Sequence, residues 1–511
     1  MNTPERIVVL GYGPVAARFL DAMRPLAAAG LVEVTVLGEE KDAAYNRVLV
    51  ADLGVGRASR GSLDLSDPDE LAADGIRVLL GVRAQRVDRS RRLVHAADGS
   101  RLPYDRLVLA TGARATVPNL TGLNPDPLHP VLPEGVTALR DLADAARLRA
   151  AVDGRKRVVV LGGGVLGLEV ALAAAEEGAH VTVVHHGDRP MGRQLDAGSG
   201  ATLSAALRRQ GLQLVPGARA TGLTTADDGA FRALALADGT LVEGELLVLA
   251  CGARPRTELA EGAGLAVGRG VLVDHSLRAL HTGHVFAIGD CAEVRCPDPS
   301  CAVCQASAGP SGLIAPGWRQ ADRLAASFTA RLLGTVAPAP LPEEKPGVIL
   351  LKATGVNLAA AGDLQADPWD AMDPGAPLEV SLWADPAQGR YVKMCTRDGA
   401  LAGFVALGMS RAAAELTLLF GSGGELPADR SVLLRLDGPD GSLGRPGTSA
   451  GPESVLCRCA GVSRGSVQAA VTAGCGTVED VARATKAGTG CGGCKDSVRE
   501  LIEEYFAPTA V

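Results

Sequence analysis

Short apolar runs rich in β-branched residues recur along the chain, and two of them lead into a glycine-rich turn and then a helical period. Ile7 to Leu10 precedes Gly11-x-Gly13-x-x-Ala16, and Val158 to Leu161 precedes Gly162-x-Gly164-x-x-Gly167. Because such runs fit buried strands and the residues after each turn follow the 3.6-residue period, each stretch predicts a strand, a tight turn and a helix. The pattern predicts an α/β fold with two Rossmann-like units.

The first turn has the features of a dinucleotide site. Gly11 permits the tight turn, Gly13 lets a pyrophosphate approach the backbone, and Ala16 lets the helix pack closely, while N–H groups at the helix N-terminus face the phosphates. The next apolar strand ends near Glu39, whose carboxylate is placed to accept a hydrogen bond from a ribose 2′-hydroxyl. The competing interpretation is an ordinary glycine-rich turn.

The second turn has the same order of strand, glycine-rich turn and helix, and its helix is predicted to end at about Glu177. The strand that follows ends in His185 and His186, where a carboxylate would favour NAD by binding the 2′-hydroxyl and repelling a 2′-phosphate. That carboxylate is absent and Arg189 and Arg193 are nearby, so NADPH is possible as well as NADH, and the sequence does not decide between them. Alternatively, the two histidines are ordinary strand-end residues.

Two further apolar strands leave the predicted sheets through small residues, at Thr111-Gly112-Ala-Arg114 and at Cys251-Gly252-Ala-Arg254, and a late Gly289-Asp290 follows. Together with the two glycine motifs, these segments resemble the two-dinucleotide-domain flavoprotein reductases over residues 6 to about 335. The resemblance implies that the first unit binds FAD, that the inserted second unit binds NAD(P)H, and that Asp290 bonds the flavin ribitol.

The candidate site residues fall into three sets. Those expected at FAD are Gly11, Gly13, Ala16, Glu39, Arg47, Val82, Thr111, Gly112, Arg114, Gly289 and Asp290. Those expected at NAD(P)H are Gly162, Gly164, Gly167, Glu169, His185 and Gly252. Glu169 and Arg47 are the candidate catalytic groups near the stacked rings; the alternative for each is a helix-start or surface ion-pair role.

Composition narrows the class of protein. The 511 residues suggest three or four domains, and 47% of them are hydrophobic. A net charge of −7 and an aromatic fraction of 3% argue against nucleic acid and against an anionic membrane surface as partners. The N-terminus shows no signal peptide and no apolar run suits a bilayer span, so a cytoplasmic location is expected.

The positions of the eleven cysteines, the first of which is Cys251, indicate which redox chemistry the chain can perform. A flavoprotein of this architecture that reduces disulfides needs a cysteine near the flavin in the first domain or the NAD unit, so dithiol chemistry is disfavoured. Near the C-terminus, Cys457-x-Cys459 and Cys491-x-x-Cys494 can gather four thiolates around iron or zinc. This arrangement resembles the bacterioferritin-associated-ferredoxin-like domain, which implies a 2Fe-2S cluster, with zinc as the alternative; Cys475 matches no ligand position.

A second group of cysteines lies in a Pro-rich insertion after Gly289-Asp290. Cys291, Cys296, Cys301 and Cys304 fall within fourteen residues and are a candidate second metal or cluster site. The alternative is a surface loop with Cys291 buried beside the flavin.

The predicted domains follow from these motifs and from composition. A region without apolar periodicity, rich in Gly, Pro and Ser, is expected to be a flexible linker that lets the last domain move. The predicted parts are an FAD domain over residues 1–120 and 246–335, an NAD(P)H domain over 121–245, an interface domain over 338–436, the linker over 437–453 and a 2Fe-2S domain over 454–507.

This order of parts resembles the N-terminal half of the assimilatory nitrite reductase large subunit and the electron-transfer subunit of assimilatory nitrate reductases. Segments that carry the likeness include residues 44–48, 194–196, 355–357 and 361–363. Nitrite reduction in that family needs a further half that binds sirohaem and a 4Fe-4S cluster, and the sequence to Val511 does not contain it. The expected function is therefore transfer of electrons to a molybdenum-dependent nitrate reductase catalytic subunit. The alternatives are a reductase for a ferredoxin, rubredoxin or monooxygenase, and a non-catalytic redox sensor.

Overall fold

The computed structural model describes residues 3–123, 131–296, 298, 301, 309–310, 312–339, 341, 347–353, 355–369, 378–437, 451–457, 460–490 and 492–506. These residues form two parallel-sheet units, a mixed unit packed on the second of them, and a small C-terminal unit. The predicted α/β fold with two Rossmann-like units is confirmed.

The first unit is built on a five-stranded parallel sheet in the order β19-β7-β1-β2-β3, in which the edge strand β19 is Val285–Ala287. Its central strand β1 is the predicted apolar run, and Ile7 and Val9 are fully buried in it. The elements of its first part are β1 (Glu5–Leu10), α1 (Pro14–Ala28), β2 (Val32–Gly38), α2 (Val50–Val55), α3 (Pro68–Ala73), β3 (Ile76–Leu80), β4 (Ala84–Asp88), β5 (Leu93–Ala96), β6 (Arg101–Pro103), β7 (Arg106–Leu109) and β8 (Ala113–Ala115).

The second unit repeats this plan with a parallel sheet in the order β12-β11-β10-β16-β9, beside a three-stranded antiparallel sheet β13-β14-β15. Its elements are β9 (Val136–Thr137), α4 (Leu142–Asp153), β10 (Arg157–Leu161), α5 (Val165–Glu176), β11 (His180–Val184), α6 (Ala197–Arg209), β12 (Gln213–Val215), β13 (Ala220–Thr225), β14 (Phe231–Leu236), β15 (Leu241–Glu243) and β16 (Leu246–Leu249).

The predicted return to the first unit at residue 246 is wrong. Strand β16 pairs in parallel with β10, so it is part of the second sheet, and all four of its residues are buried there. An apolar run identifies a buried strand, but it does not reveal which sheet the strand joins. The chain crosses back at β17, which pairs antiparallel with β8, and continues through β17 (Ala253–Pro255), α7 (Glu258–Gly262), β18 (Val271–Val273), β19 (Val285–Ala287), β20 (Ala292–Val294) and α8 (Ile314–Leu333).

The third unit packs its sheet, in the order β21-β22-β25-β24-β23, against the second unit. Its elements are β21 (Ile349–Ala353), β22 (Val356–Gly362), β23 (Glu379–Asp385), β24 (Arg390–Arg397), β25 (Ala400–Leu407), α9 (Ser410–Ser422) and α10 (Ser431–Leu434). Lys393, only 2% exposed, donates to Asp196 over 3.0 Å, and the Tyr391 hydroxyl donates to the same carboxylate over 2.6 Å. Burial alone would raise the pKa of Asp196, but these bonds and one from Ser199 outweigh it and hold that pKa below its ordinary value.

The C-terminal unit consists of β26 (Val455–Cys457), β27 (Val462–Ser463), α11 (Arg464–Thr472), α12 (Val478–Thr485) and α13 (Lys495–Phe506), which share one small core. The predicted linker over 437–453 lies mostly outside the described residues. Asp437 at its start accepts hydrogen bonds from the backbone N–H groups of Arg411 and Ala412 in the first turn of α9. Across the described part of the chain, none of the helices is both long enough and apolar enough to cross a bilayer.

Candidate functional site

The first glycine turn leaves open space where a dinucleotide phosphate would lie. Gly11 has φ +103°, and a Cβ there would stand 2.2 Å from the carbonyl oxygen of Ala110, so only glycine fits. Gly13 directly precedes α1, and a Cβ on it would meet only the Arg47 Nε, at 3.9 Å. Ala16 is 1% exposed against the sheet. This open cradle at a helix N-terminus fits the diphosphate of FAD.

The second turn has the same construction. Gly162 has φ +132°, and a Cβ there would lie 2.3 Å from the carbonyl oxygen of Ala250. Gly167 packs so closely that its Cβ would stand 2.2 Å from the Gly162 oxygen, whereas a Cβ on Gly164 would meet nothing within 4 Å. Close packing behind the turn and open space before α5 fit the diphosphate of a nicotinamide coenzyme.

Acidic side chains follow the second strand of the first sheet. Glu39 comes directly after β2, is exposed, and forms an ion pair with Arg256 at 2.5 Å. Val82 lies at the same end of the sheet, because its N–H donates to the Gly38 oxygen over 2.9 Å. The predicted roles of Glu39 at the ribose and of Val82 at FAD stay predictions.

Arg47 is the centre of a partly buried polar network beside the first turn. Its guanidinium pairs with Glu40 and donates to the Tyr45 hydroxyl over 3.1 Å and to the Arg140 carbonyl over 3.2 Å. Burial alone would raise the pKa of Glu40 and lower that of Arg47, but their mutual attraction outweighs it and both groups are held charged. Arg47 therefore brings a fixed positive charge to the edge of the first turn.

Arg140 extends this network to the late glycine–aspartate motif. Its guanidinium lies 3.2 Å from the Asp290 carboxylate, while its backbone N–H donates to Asp144. Sequence reasoning missed Arg140 and Glu40. Arg140 follows the two-residue strand β9, which has no periodic signal, and only the folded chain brings it to Asp290.

Hydrogen bonds join the two strand exits to each other, and a separate one joins the late glycine–aspartate motif to α8. The Thr111 hydroxyl donates to the Arg256 carbonyl over 2.8 Å, and the Arg256 N–H donates to the Gly112 carbonyl over 2.9 Å. Arg114 forms an ion pair with Glu258, and the Gly252 carbonyl accepts from the Thr116 N–H over 2.9 Å. The Gly289 N–H donates to Gln320 of α8 over 2.7 Å.

His185 lies against the second turn. It is 5% exposed, and a Cβ on Gly163 would approach its side chain to 3.0 Å. Burial lowers its pKa, so the imidazole is neutral near pH 7, and its Nε2 has no hydrogen-bond partner among the described residues. Glu169 lies in α5 and is partly exposed. The roles of both residues at the coenzyme stay predictions, and NADH and NADPH both remain open.

Two of the four predicted cluster ligands are described, and both are buried in the C-terminal core. Cys457, 0% exposed, ends β26, and Cys494, 8% exposed, directly precedes α13. Cys459 and Cys491 lie outside the described residues. The two buried thiols in one small core, with Gly492 at φ +71° in the loop before α13, fit a thiolate-bound 2Fe-2S cluster.

The loop that precedes Cys491 lies against the first unit. The Asn46 amide, 2% exposed, donates to the carbonyl oxygens of Thr489 and Gly490, the latter over 2.8 Å. Nearby, Lys486 pairs with Asp21 of α1 at 3.0 Å. Asn46, the neighbour of Arg47 in the sequence, therefore binds the backbone directly before Cys491, a predicted cluster ligand. Sequence reasoning missed this role of Asn46, because contacts across more than four hundred residues leave no local pattern.

The thiols nearest the two turns are not anionic. Burial raises the pKa of Cys251 to about 11 and also raises that of Cys291. The Cys291 thiol bonds to the carbonyls of Leu109 and Ile288, and Cys291 is not part of the group formed by Cys296, Cys301 and His275. Cys304 lies outside the described residues. Cys251 and Cys291 therefore lack the thiolate that disulfide reduction beside the two turns would need.

Comparisons with known proteins agree with this construction. Residues 5–309 match the family described as pyridine nucleotide-disulphide oxidoreductase, and residues 455–504 match the BFD-like [2Fe-2S] binding domain. The chain is 31% identical to the nitrite reductase [NAD(P)H] large subunit of Klebsiella oxytoca, over 100% of this chain and 50% of that protein. It is 27% identical to the assimilatory nitrate reductase electron transfer subunit of Bacillus subtilis (strain 168), over 99% of this chain and 61% of that protein.

Solved structures agree on the fold. The covalent putidaredoxin reductase–putidaredoxin complex matches with a TM-score of 0.69 at 22% identity, over 85% of this chain and 99% of that one. The chain spans between about half and three-fifths of the length of the two curated relatives above. The resemblance stated from the sequence, the two dinucleotide cofactors and the 2Fe-2S cluster are confirmed at the level of the family. The chain belongs to the pyridine nucleotide-disulphide oxidoreductase family of NAD(P)H-dependent flavoproteins and carries a C-terminal BFD-like [2Fe-2S] domain.

Proposed function

We propose that this chain oxidises NADH or NADPH and passes the electrons through its C-terminal cluster to a separate protein, the molybdenum-dependent catalytic subunit of an assimilatory nitrate reductase. The observation that carries the proposal is the pair of hydrogen bonds from Asn46 to the backbone beside Cys491. They join the flavin side of the molecule to the cluster side within one chain.

Bound FAD would accept a hydride from the nicotinamide and release electrons one at a time, as a 2Fe-2S cluster requires. The protein residues supply position and charge. The open turn at Gly13 would take the FAD diphosphate, the turn at Gly164 that of the coenzyme, and Arg47 and Arg140 hold positive charge between the first turn and Asp290.

The choice of partner rests on the attached cluster domain and on the relatives' names. A reductase that serves a ferredoxin leaves the iron–sulfur centre on the partner, whereas this chain carries its own. A curated relative with similarity across 99% of this chain is the electron transfer subunit of an assimilatory nitrate reductase. Both points favour an acceptor that takes electrons from the attached cluster.

The partner is tested by rate comparison with the full chain. The chain, loaded with FAD and cluster, is mixed with the catalytic nitrate reductase, a ferredoxin or a rubredoxin of the same organism, and the initial rate of acceptor reduction by NADH and NADPH is measured. The proposal predicts the highest rate with nitrate reductase, and a Cys457→Ser chain is the matched control. Faster reduction of the ferredoxin or rubredoxin would assign the chain to another pathway, and negligible turnover with every acceptor would indicate a redox sensor.

A further inference from the structure

Three side chains with metal-binding atoms meet at one edge of a small strand pair, away from the cluster cysteines. Strands β18 and β20 run in parallel, with Val271 opposite Ala292 and Val273 opposite Val294. His275 and Cys296 each stand two residues beyond the end of their strand, so the pairing brings them to the same edge. Cys301 reaches this edge from the segment that follows Cys296.

The spacing of these groups suits one small ion. The Cys301 Sγ lies 3.4 Å from the His275 Nε2, and the ligand atoms of His275, Cys296 and Cys301 all lie within 4.8 Å of one another. In a tetrahedral zinc site, with Zn–S near 2.3 Å and Zn–N near 2.0 Å, ligand atoms stand about 3.3–3.8 Å apart. A modest contraction would therefore bring all three atoms into coordination distance.

We propose that His275, Cys296 and Cys301 bind a zinc ion, with a water molecule as the fourth ligand of the tetrahedron. Two thiolates and one imidazole form a soft to borderline donor set that suits zinc, whereas Mg²⁺ and Ca²⁺ prefer oxygen ligands. Binding converts the two thiols to thiolates and releases two protons to solvent, and no electron is transferred. All three residues are partly buried, which limits competition by water while leaving a path for the ion.

The ion would hold the segment after β20 to the edge of the β18–β20 pair. Along the chain, that segment leads from β20, which follows the Gly289-Asp290 turn, to α8. Helix α8 contacts the turn through the bond from the Gly289 N–H to Gln320. A Cβ on Gly317 of α8 would lie 2.6 Å from Val15, so this helix packs tightly beside the first turn. The zinc ion would therefore stabilise the structure next to the predicted flavin site. This role does not depend on which protein accepts the electrons.

The proposal is tested on the full chain, reduced under anaerobic conditions, supplied with Zn²⁺ alone and dialysed. Zinc and iron are measured by mass spectrometry, and Co²⁺ replacement is followed by its thiolate charge-transfer and tetrahedral ligand-field absorption. We expect about one zinc per chain and a tetrahedral cobalt spectrum. His275→Ala, Cys296→Ser and Cys301→Ser should each lower zinc retention at least tenfold, while the control Cys251→Ser retains it.

Several results would overturn the zinc site. The first is that the three variants retain as much zinc as the unsubstituted chain, and the second is that zinc is lost only in Cys457→Ser. The others are a Cys296–Cys301 disulfide that persists under reduction, and about four irons per chain, which would indicate a second cluster. The cobalt spectrum of the unsubstituted chain reports thiolate ligation directly, so the test does not depend on the variants folding. Because metal content is the readout, failure here is distinct from failure of the proposed acceptor.

Discussion

Replacing Cys457 by serine should stop electron delivery while leaving the reduction of FAD by NAD(P)H intact. Cys457 is fully buried in the same small core as Cys494, so its thiol is placed to bind a metal centre inside that core. A serine hydroxyl is a poor ligand for cluster iron because it is hard and remains protonated at neutral pH. We expect loss of the visible cluster absorption and a fall in acceptor reduction of at least about 100-fold.

Rapid-mixing absorbance measurements separate the two steps. Flavin bleaching by the coenzyme should proceed at the unsubstituted rate, since Gly162 and Gly164 lie in a different unit. Cys494→Ser should behave like Cys457→Ser. Cys475→Ser, a cysteine of the same domain with no predicted ligand role, is the matched control and should keep its cluster. An intact cluster in the Cys457 variant, or an equal loss of flavin reduction, would contradict the assignment.

Changing Asn46 to aspartate should slow electron transfer from flavin to cluster without removing either cofactor. The Asn46 Oδ1 accepts from the Val48 N–H over 3.0 Å, and a carboxylate keeps this bond. Its Nδ2, however, donates to two carbonyl oxygens of the cluster loop, and an aspartate oxygen would repel both. Two lost hydrogen bonds, at roughly 1 kcal/mol each, lower the equilibrium constant for docking of the cluster loop by about 10- to 100-fold.

The measurement is the rate of cluster reduction after rapid mixing with NAD(P)H. The transfer rate should follow the docked population, so it should fall by up to the same factor as the docking equilibrium constant. Asp21→Asn, which removes the partner of Lys486 at the more exposed edge of this contact, is the control and should slow transfer by no more than about fivefold. Unchanged transfer in Asn46→Asp would show that electrons reach the cluster without this contact.

The two glycine turns were predictable because their constraints are local. Gly11 and Gly162 have positive φ values and leave no room for a Cβ, so glycine is required at both positions, and a short motif is enough to reveal this. The same holds for the apolar strands before each turn. The family assignment followed from these motifs, and the comparisons confirm it.

Contacts between distant segments were not predictable. Strand β16 has the apolar pattern of any buried strand, and only its pairing with β10 assigns it to the second unit. Asn46 and Arg140 carry no motif, and their importance comes from partners far along the chain. The cysteines after Asp290 were recognised as a group, but His275 joins Cys296 and Cys301 only because β18 and β20 lie side by side.

The central claim, a path from coenzyme through FAD to the cluster within this chain, is tested most directly by anaerobic titration of the purified protein. NADH and then NADPH are added while flavin and iron–sulfur absorption are followed and iron is quantified. The account predicts flavin bleaching followed by cluster reduction, with about two irons per chain, and it identifies the coenzyme. A flavin that is fully reduced while the cluster stays oxidised, or a C-terminal site that holds zinc and no iron, would contradict it.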